Sequence, residues 1–541
     1  KKDKYYKHLK SIYDISVVQT HRCVPDKLPK IDYKLCVILG SSGNGKTSTL
    51  KMFQENTNKW YNSFDKLIED LNKSSPKSSP KSSPKILDEF GSNSDKITKY
   101  YMATLLQESL YTNSRVVIAC NDRSVLKFLK PDWVFDVDSC EVLKLRNQKI
   151  EQAKNIKVKK CKALKVQKLP NDNFNIGLIV GRDNTGKEDI VKKYKTITHK
   201  FEDDKHILEQ IGAKNAEDAV KLVNSVGLKS VMTWLTPYKY LSTGQKARAS
   251  LIPYLTSTKS SNKSSTKSSP LCIKNYGDTV DPNTQCSMAY AFGNAVRKFD
   301  KQVIIVSNNE DIIQFLKPDW VLNTNSCKLK TYKEHQKIKL KISIKQLTSN
   351  DASKTWRLLK HYHYLSHTHV PTTSFGIFIE NQYINEGKPL KIGIMSLNCT
   401  AAWSLSKAVE NMRFAHRFVI APSFQGMRLG SHIPNIIGDL LASNGLCFKF
   451  ITSHKSLINQ FEKSDNWAQY HKPKSGANSV TEKGKYGRTR HNLRKDRVRY
   501  FFEYKGPKTF TKKFNNKLVS CAKFGCKPNS KCIEVSKTIF I

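Results

Sequence analysis

Eight residues, Gly40–Thr47, read Gly-Ser-Ser-Gly-Asn-Gly-Lys-Thr directly after the apolar run Leu35–Leu39. With glycines so spaced, the backbone N–H groups of Gly40, Ser41, Ser42, Gly43, Asn44 and Gly45 can wrap phosphate oxygens. Lys46 then reaches the β- and γ-phosphates, and the Thr47 hydroxyl ligates Mg2+. This pattern, G-x-x-x-x-G-K-[ST], is a cradle for ATP. Acid chemistry follows at Asp88-Glu89, behind the short apolar run Ile86-Leu87. A lone Asp-Glu pair is more often a solvated loop. Its position after the cradle instead puts Asp88 on the Mg2+ shell and Glu89 against the attacking water.

A third group stands at Leu241–Gln245, Leu-Ser-Thr-Gly-Gln, ahead of Lys-Ala-Arg-Ala-Ser-Leu. Ser242, Gly244 and Gln245 there open a helix, whose first amides can hold an anion; the alternative is an ordinary serine N-cap. The segment resembles the signature loop of ABC-type ATPases, which implies contact with the γ-phosphate of nucleotide held on the opposite cradle.

Farther on, Arg413–Ser431 reads RFAHRFVIAPSFQGMRLGS and runs into the apolar helix pattern IPNIIGDLLA. It resembles the acetyl-CoA motif of GNAT acetyltransferases, a strand end followed by Q/R-x-x-G-x-G/A. The resemblance implies cofactor-binding positions at Phe418, Val419 and Ile420 on the strand. On the loop they are Gln425, Gly426, Met427, Arg428, Leu429, Gly430 and Ser431, with the CoA pyrophosphate on the helix N-terminus. Arg428 stands where the motif has its first glycine. Its guanidinium can still meet a phosphate. Acid/base candidates for the transfer are His361, His363, Tyr470 and Glu410, and the sequence does not choose among them.

These features together resemble the ABC-type ATPases fused to a GNAT acetyltransferase. The likeness rests on the cradle, Asp-Glu-Phe-x-Ser, the Leu241–Gln245 signature, two Pro-Asp-Trp-Val segments, His-Tyr-His-Tyr-Leu-Ser-His at 361–367 and the Val419–Ile433 loop. It covers most of residues 30–470. It implies ATP, Mg2+ and acetyl-CoA as the small molecules handled, and an ATPase joined to an N-acyltransferase as the activity.

The elements that must position these groups occur twice. Phe-Leu-Lys-Pro-Asp-Trp-Val appears at 128–134 and again at 315–321, each behind a β-branched strand, RVVIACN and QVIIVSN. Upstream, ILDEFGSNSD pairs with CIKNYGDTVD, and CVILGSSGNGKTS with GLIVGRDNTGKED. Four matches in one order make two copies of one βαβ-type unit. The copies are complementary. The second has Glu188 for Thr47 and Lys274-Asn275 for Asp88-Glu89, but only it carries the signature. Head-to-tail pairing within the chain completes one ATP site and leaves the other dead. Asn121 and Asn308 stand where ABC ATPases have a switch histidine.

The expected fold is therefore α/β: two tandem P-loop/ABC-type ATPase units, then an α+β GNAT acyltransferase domain. The boundaries are 1–150, 151–332, 333–482 and a basic, cysteine-containing extension 483–541. Lys-Ser-Pro-type tracts at 72–85 and 258–270 lack apolar residues and read as surface insertions.

With 541 residues, 92 Lys+Arg and 46 Asp+Glu, the net charge of +46 exceeds what solubility requires. Polyanions are the natural partners, nucleic acid first. Eight Lys/Arg concentrate in Lys483–Arg499 beside Tyr486, Tyr500, Phe501 and Phe502, a pattern for gripping phosphates and stacking on bases. If all eight touched phosphate, log K would fall with log salt at roughly −7. The alternative for such a run is a solvated face. Nucleic acid, DNA or RNA, is then the expected acyl acceptor. Two other readings stay open: a nucleic-acid-binding ATPase with an inactive GNAT module, and acetylation of a protein or small amine. Cys521, Cys526 and Cys532 read as structural thiols in preference to a zinc site. No membrane span or secretory signal is evident. Thirteen scattered cysteines point to a soluble protein of a reducing compartment, cytoplasmic, or in a nucleus or viral factory.

Overall fold

The computed structural model describes residues 33–40, 45–53, 59–73, 84–92, 94, 96–110, 115–138, 141–144, 169–170, 174–182, 185–256, 270–363, 373–398, 412–475, 498–510 and 533–541. Ser41–Asn44, Glu410, most of both Lys-Ser tracts, 483–497 and Cys521, Cys526 and Cys532 lie outside them.

Apolar runs without alternation make strands buried on both faces. Leu35–Leu39 is such a run, and every residue of it is buried. It sits inside a six-stranded sheet of spatial order Lys59–Tyr61, Lys85–Leu87, Val116–Cys120, Leu35–Leu39, Trp133–Asp136, Glu141–Lys144. The first five run parallel, and the last turns back antiparallel. A second sheet reads Leu271–Ile273, Val303–Ser307, Ile176–Val180, Trp320–Asn323, Lys328–Thr331, again parallel except for its last strand. Its order is that of the first sheet without the outermost strand, so the sequence repeat is a structural one.

The Pro-Asp-Trp segments explain their own recurrence. Asp132 accepts hydrogen bonds from the N–H groups of Lys34 and Leu35, at 2.7 and 2.9 Å. Asp319 accepts from Asn175 and Ile176, both at 2.8 Å. Each carboxylate thus holds the start of its central strand, and Trp133 and Trp320 beside them are buried. A Cβ on Gly177 would lie 2.0 Å from the Trp320 ring, so the strand needs glycine there.

The third sheet has eight strands in the order Trp467–Ser475, Val498–Tyr504, Cys447–Thr452, Met412–Ile420, Leu390–Asn398, Thr373–Glu380, Lys339–Gln346, Glu534–Phe540. Its one parallel pair joins Met412–Phe414 to Cys447–Lys449 and then stops, so the two strands part beyond Phe414. Two strands assigned by sequence to the extension after 482 belong to this sheet. Val498–Tyr504 pairs with Cys447–Thr452, and Glu534–Phe540 pairs with Lys339–Gln346. Phe501 and Phe502 are therefore core residues, 2% and 1% exposed, and cannot stack on bases as the sequence suggested. The helix Leu429–Ser443 is tied to the same C-terminal segment through Asp439. This buried carboxylate accepts from the Thr509 amide at 2.6 Å and the Lys537 ammonium at 3.0 Å.

The second and third sheets share one apolar core, in which Phe315 packs edge-on against Tyr383. The first sheet has separate cores on its two faces. No helix among the described residues is long and apolar enough to cross a membrane.

Candidate functional site

The cradle begins where the central strand ends. Gly40 has φ of 154°, and its carbonyl accepts from the Lys46 ammonium at 2.8 Å. Gly45, at φ of 101°, starts the helix Lys46–Lys51. The Thr47 hydroxyl donates to Asp88 at 2.7 Å, so the two oxygens expected on Mg2+ already adjoin. That donor set suits a hard, oxygen-preferring cation. Glu89 adopts a left-handed φ of 56°, and its amide donates to the Asp88 carboxylate. Burial first, then the neighbouring Asp88 charge, raises the proton affinity of Glu89, while Lys46 and the nearby Thr243 hydroxyl oppose this. A raised carboxyl is the direction a general base requires.

Thr243 belongs to the other repeat. It is the first residue of the helix Thr243–Ala249, whose N-cap is Ser242. Ser242 and Gln245 form a reciprocal capping box there, and the Gln245 amide also reaches Thr233 at 3.0 Å. Ser242 is thus an ordinary cap, and the helix it opens starts beside Glu89 of the first unit.

In the second cradle Lys187, 5% exposed, donates to the Gly181 carbonyl at 2.8 Å, as Lys46 does to Gly40, and also to Asn308. A Cβ on Gly181 would fall 1.8 Å from the Thr324 hydroxyl. Asn275 repeats the left-handed turn of Glu89 at φ of 53° but supplies no carboxylate. Asn121 corresponds to Asn308, and its side-chain oxygen is buried with no hydrogen-bond partner among the described residues.

On the third sheet, Phe418, Val419 and Ile420 end the strand at the parting, and Gln425 donates back to the Ile420 carbonyl at 3.0 Å. Arg428 takes the left-handed conformation itself, φ of 57°, and caps the helix Leu429–Ser443 with its side chain exposed. The Ser431 hydroxyl donates to the Arg428 carbonyl at 2.9 Å. Gly430 is the open position, where an added Cβ meets only a Leu457 methyl at 3.5 Å. The long helix start and open glycine suit a pyrophosphate. Gly426 has a different task. A Cβ there would meet Gly227 and Ala291 of the second unit at 3.2 and 3.0 Å, so its bareness serves packing between sheets. Met427 and Leu429 are buried in the shared core.

The acid/base candidates separate. His363 is 6% exposed and packs edge-on against Trp356. The His361 backbone lies in the turn before it. Tyr470 is across the parting, on the strand Trp467–Ser475, with the Lys449 ammonium 4.4 Å from its ring centroid. Burial, followed by Glu503 and Cys447, pushes its hydroxyl up to about 12, so it stays protonated at neutral pH. That hydroxyl has no hydrogen-bond partner among the described residues.

Sequence reasoning missed Thr243 and Arg248. Both stand in the signature segment and were passed over for the residues on either side.

One cavity of about 820 Å³ lies where the three sheets meet. Its wall includes Gly40 and Asn121 of the first unit, Asp281 and Asn308 of the second, Gly393 of the third sheet and Tyr362 of the turn Lys360–Tyr362. Seven aspartates line it against five Lys/Arg, in a chain of the opposite overall sign.

No protein-family profile matches the chain, and no curated protein matches it. The chain is a mixed α/β protein whose parallel sheets are consistent with a P-loop ATPase-like fold. Solved structures similar to it include an RNase-L inhibitor, at 11% identity and TM-score 0.32, covering 55% of this chain and 84% of that one. UvrA2 from Deinococcus radiodurans matches at 12% identity and TM-score 0.27, covering 46% and 48%. A protein designated a phosphinothricin N-acetyltransferase matches at 9% identity and TM-score 0.20, covering 30% of this chain and 96% of that one.

Proposed function

We propose that the chain is an ABC-type ATPase with one composite ATP site, joined to a GNAT-type N-acyltransferase that uses acetyl-CoA and acts on nucleic acid. The observation that carries the ATPase half is the approach of Thr243 to Glu89, which sets the start of the signature helix of one unit beside the Asp88-Glu89 carboxylates of the other. Lys46 faces the β- and γ-phosphates, Thr47 and Asp88 would hold Mg2+, and Glu89 takes a proton from the attacking water. Asn121 replaces the switch histidine, so turnover is slow.

Acetyl-CoA, when bound, supplies a thioester acyl group to an amine. Arg428 and the first amides of the helix Leu429–Ser443 meet its phosphates. Tyr470 is the candidate for protonating the departing thiolate. His361 and His363 remain the candidates for taking the amine proton.

Support for nucleic acid as acceptor is the +46 charge and the basic run Lys483–Arg499. The excess of seven aspartates over five Lys/Arg on the cavity wall favours a second acceptor, a cationic amine or basic peptide. Mass spectrometry of DNA and RNA from expressing cells, alongside polyamine and peptide acetylation assays, separates them. Acetylated bases support the first acceptor. Unmodified nucleic acid with acetylated amine supports the second. Neither product overturns the transferase assignment.

A further inference from the structure

The helix Thr243–Ala249 touches both functional centres. At its start, Thr243 lies beside Glu89 of the composite ATP site. At its end, Arg248 is 2% exposed and reaches three oxygens: the Val226 carbonyl at 3.3 Å, the Ser287 hydroxyl at 2.6 Å and the Pro422 carbonyl at 3.5 Å. Pro422 opens the acyl-CoA loop. Ser287, on the helix Pro282–Lys298, donates in turn to the next carbonyl of that loop, Ser423, at 2.5 Å. Gly227, one residue past Val226, backs onto Gly426, and a Cβ on Gly227 would fall 2.2 Å from the Arg248 guanidinium. Ser242, Gly244 and Gln245 of the signature line one small cavity together with Pro422, Ser423 and Gln425 of the loop.

A buried guanidinium bound only to neutral oxygens is an expensive arrangement. Among the described residues no carboxylate is a hydrogen-bond partner of it, and burial, opposed by Tyr276 and Asp281, lowers its proton affinity to about 10, still well above neutral pH. The charge is retained in the core at a point where a smaller apolar residue would pack more cheaply. What it alone supplies is a forked, rigid donor joining two carbonyls and a hydroxyl on three separate segments.

We propose that Arg248 is the positioning residue through which the ATP site sets the acyl-CoA loop. This rests on the composite-site and acyltransferase readings above. A shift of the signature helix on closing around ATP displaces the guanidinium, and the Pro422 and Ser423 carbonyls follow it. The orientation of Gln425–Leu429, and hence of the phosphate-binding amides, then differs between the two nucleotide states. Ser287 is the second arm of the same bracket.

The test compares the full chain with Arg248→Gln and Ser287→Ala, the latter nearly isosteric and retaining the buried arginine. Two readouts are taken with and without a non-hydrolysable ATP analogue and Mg2+. Hydrogen exchange across 422–429 reads the loop without CoA, and calorimetry gives the acetyl-CoA Kd. In the unsubstituted chain the analogue changes loop exchange and acetyl-CoA affinity by at least about fivefold, the lower end of typical couplings. By linkage, acetyl-CoA changes analogue affinity by the same factor. In both variants the ratio falls to about one while the analogue still binds. A variant made defective only by misfolding would lose analogue binding too. Loop exchange that ignores bound analogue in the unsubstituted chain overturns the proposal, as does full coupling in Ser287→Ala and Arg248→Gln alike. Coupled loop exchange without any acetyl-CoA binding upholds the bracket and removes the acyl-CoA reading instead.

Discussion

Replacing Arg428 by glycine separates the stability of the acyl-CoA loop from its binding task. Arg428 holds φ of 57° and ψ of 12° at the N-cap of the helix Leu429–Ser443. A side chain in this region costs about 1–2 kcal/mol, because Cβ crowds the following carbonyl. Without an anion, the arginine therefore carries this backbone strain. Arg428→Gly should raise the unfolding free energy by about 1 kcal/mol, net of the freedom glycine adds to the unfolded chain. In a domain of this size that is about 2–4 °C in Tm. With acetyl-CoA the sign reverses. A charge-assisted bond to phosphate is worth about 1.5–3 kcal/mol, reduced at an exposed side chain to about 1 kcal/mol, or roughly fivefold in Kd. Arg428→Ala is the control, losing the charge but keeping the strain, so it should bind as weakly as the glycine variant without gaining Tm. Thermal unfolding and acetyl-CoA calorimetry at two salt concentrations measure both effects. A glycine variant that loses Tm, or binds acetyl-CoA as tightly as the parent, would refute the assignment of Arg428 to a phosphate.

Glu89→Gln should leave ATP binding intact and slow steady-state hydrolysis by about 10²-fold or more, the usual contribution of a general base. Asp319→Ala strands two strand amides, Asn175 and Ile176, and should cost about 2 kcal/mol in denaturant unfolding. Asp439 gives a pH prediction. Burial alone pushes its carboxyl up, but hydrogen bonds from Thr509 and Lys537 outweigh burial and hold it below the usual range. Its contribution is then fully present above the unfolded value of about 3.9 and is lost as pH falls through the lower folded value. Asp439→Asn should therefore lower stability near pH 7 by about 2 kcal/mol and flatten the acid limb of a Tm-against-pH curve.

What was legible in the sequence is local. Gly40–Thr47, Asp88-Glu89 and the paired Pro-Asp-Trp segments carry their pattern in consecutive residues, and the structure places Gly40, Asp88-Glu89 and both Pro-Asp-Trp segments at strand ends. Their complementary losses, Glu188 and Lys274-Asn275 in one copy, needed only the repeat to be seen. The tail was misread because its charge hid its pattern. Arg499, Tyr500, Phe501 and Phe502 looked like a basic-aromatic patch, yet the strand they form is chosen by pairing with Cys447–Thr452, some fifty residues earlier. Arg248 and Gly426 were illegible for the same reason. Their partners, Pro422 on one side and Gly227 on the other, are about two hundred residues away in the chain. Gly426 fits a phosphate-loop pattern, but the contact that requires it is with another unit.

The most direct test of the composite site is calorimetric titration of ATP with Mg2+ into the Glu89→Gln chain, alone and with Thr243→Asp added. One ATP per chain, bound at least about tenfold more weakly once a carboxylate faces the phosphates from the other unit, is the predicted result. Two tight sites per chain, or one site indifferent to Thr243→Asp, would contradict it.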